Sequence, residues 1–182
     1  ARQYVDGSAF HLYGGDINNL SELKNTHPDK NLYFTEQWVG APGNLYGDLR
    51  WHIRNLIIGA TRNWCKTIIE WNLASDENQK PHTEGGCSSC LGAVTITGNS
   101  VQRNTAYYVI AHASKFVPPG SVRLHSSSSS TLPNVSFLTP EEKIVTIVLN
   151  DSSNKINFNI ILDGKDIHSS LNAGAIGTFV LN

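Results

Sequence analysis

From Tyr4 to Val117 the chain alternates short apolar runs with segments of helical period, an order that leaves few architectures open. YVDGSAFHLY (4–13) reads as a strand with a glycine interruption, and NLYFTE (31–36) and TIIEWNLA (67–74) read as buried strands. INNLSELKN (17–25), closed by Pro28, predicts a short polar helix. Across 45–64, Leu45, Leu49, His52/Ile53, Leu56, Ala60 and Trp64 recur at steps of three and four, which predicts an amphipathic helix. A long irregular loop over 75–92 precedes a short strand, AVTIT (93–97). NTAYYVIAHASKFV (104–117) then reads as a helix with Asn104 as its N-cap, stopped by Pro118, Pro119 and Gly120. Buried strands separated by helices imply a parallel sheet covered by helices. Two to three such units are too few to close an eight-stranded barrel, so this region is expected to be the end of a larger α/β domain.

From Ser121 the pattern changes. SVRLHS, NVSFLT, KIVTIVLN, KINFNIILD and GTFVLN are short β-forming runs separated by turn residues, the spacing of an antiparallel β-sandwich. The HSSSSSTLP segment (125–133) is expected to be a flexible surface loop. The expected boundary lies near Pro119, dividing the chain into 1–119 and 120–182.

Composition narrows the function classes. The chain has 182 residues, 40% hydrophobic and 16% charged, with a formal net charge of -1. That balance lacks the basic footprint of a nucleic-acid binder, and no apolar stretch approaches the roughly 20 residues of a membrane span. No signal peptide opens the sequence, and Met is absent throughout a chain that starts ARQYVDG, as expected for an excised or processed piece of a longer protein. Cys87 and Cys90 form a single C-x-x-C without the second ligand pair of a structural zinc site, so no metal is expected. The pair is expected to be reduced or to form a small local disulfide.

The ends of the strands carry the chemistry. In α/β barrels the active site is built at the C-terminal ends of the strands, and here three consecutive strands end in FHLYGGD, YFTEQW and IEWNLASDE. His11, Tyr13, Glu36, Trp38, Glu70 and Trp71 are thereby brought near one rim. Aromatic faces stack on pyranose rings, and a carboxylate can attack an anomeric carbon or stabilise an oxocarbenium ion. A phenol beside the carboxylate can donate a hydrogen bond that keeps it ionised. Each residue has an ordinary alternative. Glu36 can be the first solvated residue past a strand, Tyr13 a rim residue of the core, and Trp71 a core side chain beside Ile68, Ile69 and Leu73. Glu70 alternates with Ile69 and Trp71, is expected to point outward into the helix layer, and is left out of the site.

The stretches YVDGSAFHLYGGD, NLYFTEQWVG, IIEWNLASDENQKP with GGCSSCLGAVTI, YYVIAHASKFVPPGSVRL and VTIVLND resemble the C-terminal part of glycoside hydrolase family 30. This is the clan of glucosylceramidases and endo-β-1,6-glucanases. The likeness runs in order over nearly the whole chain. It implies the C-terminal strands and helices (strands 6–8) of a (β/α)8 barrel, followed by an antiparallel β-sandwich, and a retaining mechanism through two glutamates. Carried over residue by residue, the resemblance makes Glu36 the nucleophile and Tyr13 its hydrogen-bonding partner, with His11 as a supporting rim residue. Trp71 becomes a wall of the sugar subsite, and Trp38 an added stacking surface. The family's acid/base glutamate lies in an Asn-Glu-Pro type motif, and no such motif occurs here. The remaining strands of the barrel are therefore an expected partner, and the segment alone is expected to be inactive.

The function so implied is that of a retaining β-glycosidase acting on β-glucosides such as β-1,6-glucan or glucosylceramide, without a cofactor. The polar and aromatic rim loops WVGAPGNLYG and SDENQKPHTEGG favour a glucan. The resemblance also implies a secreted or periplasmic protein. The alternative is a non-catalytic carbohydrate-binding or structural β-sandwich module. The singly scattered Phe137, Phe158 and Phe179 suit core packing better than a sugar platform.

Overall fold

The computed structural model describes residues 2–127 and 129–182; Ala1 and Ser128, the latter within the expected serine loop, lie outside the described residues. The chain divides into two compact units, Ala1–Ala113 and Ser114–Asn182.

In the first unit a 3-10 turn (Arg2–Tyr4) leads into β1 (Gly7–His11), α1 (Asn19–Thr26), β2 (Asn31–Glu36) and the two-residue β3 (Val39–Gly40). α2 (Leu45–His52) then passes directly into a π-helical stretch (Ile53–Ala60) before β4 (Cys65–Ile68). β1, β2 and β4 form a parallel sheet with β2 in the middle. Parallel neighbours need a crossover, and α1 and the α2–π helix supply the two required. Successive side chains of a strand point to opposite faces. Leu32 and Phe34 accordingly share one face of β2, where they are buried with Leu20 of α1, Leu56 and Ala60 of the π stretch, and Cys65 of β4. Gly7 lets β1 begin close to β2, because a Cβ there would stand 2.2 Å from the Asn31 carbonyl oxygen.

Short pieces complete this unit: β5 (Ala74–Ser75), β6 (Cys90–Leu91), β7 (Val94–Thr97), β8 (Ser100–Arg103) and α3 (Thr105–Ser114). β3 pairs antiparallel with β6, β5 pairs parallel with β7, and β7 and β8 make a hairpin. Asn104, just before α3, donates from its amide to the Gly92 carbonyl and to Thr95 Oγ1, both at 2.8 Å. Among the described residues no helix is long and apolar enough to cross a membrane.

The structure corrects several sequence expectations. The first strand is shorter than 4–13, since Tyr4 lies in the 3-10 turn and pairing starts at Gly7. The helix over 45–64 changes winding at Ile53, and its apolar stripe ends sooner than the spacing predicts. Leu45 and Trp64 are exposed, and Trp64 sits at φ 76°, the left-handed residue that turns the chain into β4. The strand expected at 67–74 ends at Ile68, where its regular pairing with β2 stops opposite Phe34; beyond that the Ile69 N–H on the Phe34 carbonyl and a Trp38–Trp71 bridge carry the contact on.

The second unit is antiparallel. β9 (Val122–Leu124), β10 (Asn134–Leu138), β11 (Ile144–Leu149) and β14 (Ile176–Leu181) form one sheet in the order β14-β11-β10-β9. β12 (Ile156–Leu162) and β13 (Lys165–Leu171) form a separate hairpin. Sequence periodicity misses β13, whose KDIHSSL is mostly polar, although the signal for its turn is present. Asp163 and Gly164 stand alone between paired Leu162 and Lys165 with φ 49° and 77°, the left-handed pair that a two-residue hairpin turn requires. A cavity of about 680 Å³ lies between the layers, lined by Ile144, Thr146 and Val148 on one side and Phe158, Ile160 and Leu162 on the other. The Phe158 and Phe179 rings meet edge to face at 5.7 Å.

Asn150, fully buried at the end of β11, joins the hairpin to the sheet. Its amide faces the carbonyls of Asn154, Leu171 and Asn172 at 2.7, 2.9 and 3.0 Å, and its Oδ1 accepts from the N–H and hydroxyl of Ser152. Removing it leaves three backbone carbonyls and the Ser152 donors without this buried partner, so Asn150→Ala is expected to destabilise this unit by about 3 kcal/mol. Asn150→Asp, which sets a carboxylate against the same oxygens, should cost at least as much. Denaturant melts of the three proteins check both expectations.

Candidate active site

Because β1 and β2 run parallel, their C-terminal ends lie side by side. The pairing runs in step from Gly7–Asn31 to Phe10–Phe34 and then shifts, setting His11 opposite Glu36. Thr35 is the extra residue, a bulge of the kind that re-aims side chains at strand ends. The Tyr13 hydroxyl donates to Glu36 Oε1 at 2.9 Å. His11 Nδ1 lies 3.6 Å from the same oxygen, and the His11 and Tyr13 rings meet edge on at 5.7 Å. Three of the sequence-predicted residues therefore form one contact cluster. The Glu36 side chain is 33% exposed, open enough to be reached and enclosed enough to be held.

The two tryptophans come together through their backbones. Trp38 and Trp71 form an isolated parallel bridge, and the Trp71 N–H donates to the Gln37 carbonyl at 2.7 Å. Trp71 is about half exposed and Trp38 is half-buried, so Trp71 is not the core side chain that its apolar neighbours allow. The Trp71–Asn72 peptide bond is cis. What links the tryptophan pair to the carboxylate cluster is the chain itself, since Trp38 follows Glu36 by two residues.

Sequence reasoning left out what lies beneath this rim. Glu70 does point to the helix layer, and it is buried there: its side chain is 3% exposed and Oε1 sits 2.7 Å from Nδ1 of His52, itself 5% exposed. Glu70 Oε2, Gln37 Oε1 and Asn72 Oδ1 are the buried side-chain oxygens without a hydrogen-bond partner among the described residues. A histidine inside the predicted helix and a lone Glu before Trp71 were the available signals. Neither identifies its partner without the fold. Among the described residues no group of three or more His, Cys, Asp or Glu is gathered as a metal site would be.

The electrostatics favour a neutral phenol. Partial burial, then the hydrogen bond to Glu36 and its charge, with a smaller push from Glu70, raise the Tyr13 pKa to about 12. Tyr13 thus stays an O–H donor through the whole neutral and moderately alkaline range. A folded-state pKa above the ordinary value of 10.0 means that its stabilising contribution is intact below about pH 10 and is lost towards pH 12. In ultraviolet titration, the difference between the parent and Tyr13→Phe should show a phenol ionising near pH 12. Repeating the subtraction in a Glu36→Gln background should bring that ionisation down towards 10; no movement would contradict the Tyr13–Glu36 coupling.

Comparison with known proteins follows the same outline. Residues 120–179 match the glycosyl hydrolase family 30 beta sandwich domain. The whole chain is 31% identical to the endo-1,6-beta-D-glucanase neg1 of Aspergillus fumigatus, covering 38% of that protein. It is 28% identical over 88% of its length to the lysosomal acid glucosylceramidase of Mus musculus, covering 33% of it. The solved structure of an endo-β-1,6-glucanase superposes on all of the chain with a TM-score of 0.90 and 30% identity, over 42% of its own length. The chain thus spans about two fifths or less of the length of these three relatives. Residues 120–179 are thus a glycoside hydrolase family 30 beta sandwich domain, and the likeness to endo-1,6-glucanases runs through the first unit as well.

Proposed function

We propose that this chain is the C-terminal part of a retaining β-glycosidase and that Glu36 is its nucleophile. The observation that carries the reading is the 2.9 Å hydrogen bond from Tyr13 to Glu36 Oε1 at the C-terminal ends of two adjacent parallel strands. Tyr13 and His11 both address Oε1, which leaves Oε2 to attack the anomeric carbon. The acid/base carboxyl, roughly 5 Å away in a retaining site, protonates the departing oxygen and comes from outside these 182 residues. Water then hydrolyses the glycosyl-enzyme, with the same acid/base acting as base. Trp71 and Trp38 serve as stacking walls for the sugar.

In this reading β1, β2 and β4 are strands 6, 7 and 8 of a (β/α)8 barrel, whose other strands pair with the free edges of β1 and β4. The domain boundary falls at 119/120, supported by the family match beginning at residue 120 and by the structural division at Ala113/Ser114. The substrate is a β-linked glucan, with β-1,6 linkage favoured by the endo-1,6-glucanase relatives over the glucosylceramide of the more distant ones. The Cys87–Cys90 disulfide supports export to an oxidising compartment. The sandwich acts as a scaffold: Phe137 is buried and Phe158 packs on Phe179, so no aromatic row is left for a sugar.

Two measurements test the assignment. In the full-length enzyme, Glu36→Gln should lower kcat by about 10,000-fold while the melting profile is kept; near-parental turnover would sink the nucleophile. The purified 182-residue chain should hydrolyse no aryl β-glucoside, and turnover tracking with it through purification would refute the placement of the acid/base elsewhere.

A further inference from the structure

The CSSC motif at 87–90 has no part in the chemistry above, yet the fold sets it against the tryptophan rim. Cys87 and Cys90 are joined as a disulfide, with Cys90 buried and Cys87 half-buried. Cys90 and Leu91 form β6, which pairs with Gly40 and Val39 of β3. Next to that short ladder, the Ala41 N–H donates to the Ser89 carbonyl at 2.8 Å, so this acceptor sits inside the small ring that the disulfide closes. On the other side of β6 the chain is fixed again: the Gly92 N–H donates to Ser75 Oγ at 3.1 Å, and its carbonyl accepts from Asn104 at 2.8 Å.

β3 carries this constraint to the aromatic side chains. A Cβ at Gly40 would stand 3.0 Å from Cζ3 of Trp38, so the indole folds back over the Gly40 backbone, and whatever holds Gly40 holds the ring. Trp38 in turn bridges Trp71. A ladder of two residue pairs is too short to persist unaided. The 76–89 segment leading into it is mostly exposed loop, the kind of chain that opens locally at little cost.

We infer that the Cys87–Cys90 disulfide is a positioning element for the aromatic rim: it holds the Ser89 carbonyl on the Ala41 amide, keeps β3 on β6, and so sets the face that Trp38 offers to a sugar ring. The link to sugar rests on the glycosidase reading of Glu36, Tyr13 and Trp38; the link from disulfide to β3 does not.

Amide hydrogen exchange on the full-length enzyme, oxidised and after a dithiol has reduced the bridge to two thiols, tests the mechanical half. Exchange at Ala41 should quicken by about tenfold or more, while Ile69, whose N–H donates to Phe34 in the parallel sheet, keeps its rate. An unchanged Ala41 rate overturns the proposal. In the full-length enzyme, the double variant Cys87→Ser, Cys90→Ser should raise KM by about threefold or more with kcat within about twofold. Gly40→Ala leaves the bridge intact but crowds the same indole, and it should raise KM likewise. Parental KM in both variants overturns the positioning role. Glu36→Gln separates the two readings: if it stays fully active the glycosidase assignment falls and the Ala41 result stands on its own, whereas an inactive Glu36→Gln beside unaltered KM values sinks the positioning role alone.

Discussion

β1 and β2 run parallel and in step from Gly7–Asn31 to Phe10–Phe34, where one extra residue, Thr35, enters β2 and His11 comes opposite Glu36. The step depends on two things. Gly7 allows the backbones to meet at the start, where any Cβ would strike the Asn31 carbonyl. Leu32 and Phe34, both essentially fully buried, fix which face of β2 looks at the helices. Burying two such side chains is worth about 1.5–3 kcal/mol each, and a one-residue slip would turn both into solvent. Glu36, two residues beyond Phe34, inherits its position from that anchoring. Its partners on β1 and just after it are delivered by the same ladder.

Beneath the rim the protein accepts an electrostatic cost. Glu70 and His52 are both nearly inaccessible, and a buried polar pair recovers its desolvation penalty only with good geometry and further hydrogen bonds. Glu70 Oε2 lacks one, as do oxygens of Gln37 and Asn72 on the neighbouring stretches. Gln37, Glu70 and Asn72 are the chain neighbours of the bridged Trp38 and Trp71. The Glu70 charge also reaches Tyr13, adding to the rise of its pKa. The rim and the layer beneath it are therefore coupled electrostatically as well as through the backbone. The disulfide loop adds a third, mechanical tie through the pairing of β6 with β3.

Much of this was legible in the sequence where one physical rule acted alone. NLYFTE is a strand from Asn31 to Glu36 as its apolar run implies, because β2 is central and covered by helices on its Leu32–Phe34 face. β9, β10, β11, β12 and β14 follow their β-branched runs. The failures fall where tertiary context outweighs the local pattern. Ile69, Trp71 and Leu73 look like a buried strand yet are exposed, since the regular pairing of β4 with β2 stops at Ile68 and only single backbone contacts continue beyond it. Ser100–Arg103 and Lys165–Leu171 are strands despite polar sequences, because a hairpin partner supplies their hydrogen bonds. The π-helical winding from Ile53 to Ala60 leaves no mark on a pattern whose apolar spacing fits an ordinary helix equally well.

The candidate site divides in the same way. The sequence by itself determined which residues end the strands and that a carboxylate, a phenol, an imidazole and two indoles gather at one end, because side-chain type and strand polarity are written locally. Only the tertiary structure decided which of them touch. The bulge at Thr35 sets His11 and Tyr13 on one oxygen of Glu36, the Trp38–Trp71 bridge joins two segments more than thirty residues apart, and His52 closes on Glu70. Each of these contacts depends on register and crossover geometry, which are set by packing between distant segments and not by the residues that make the contact.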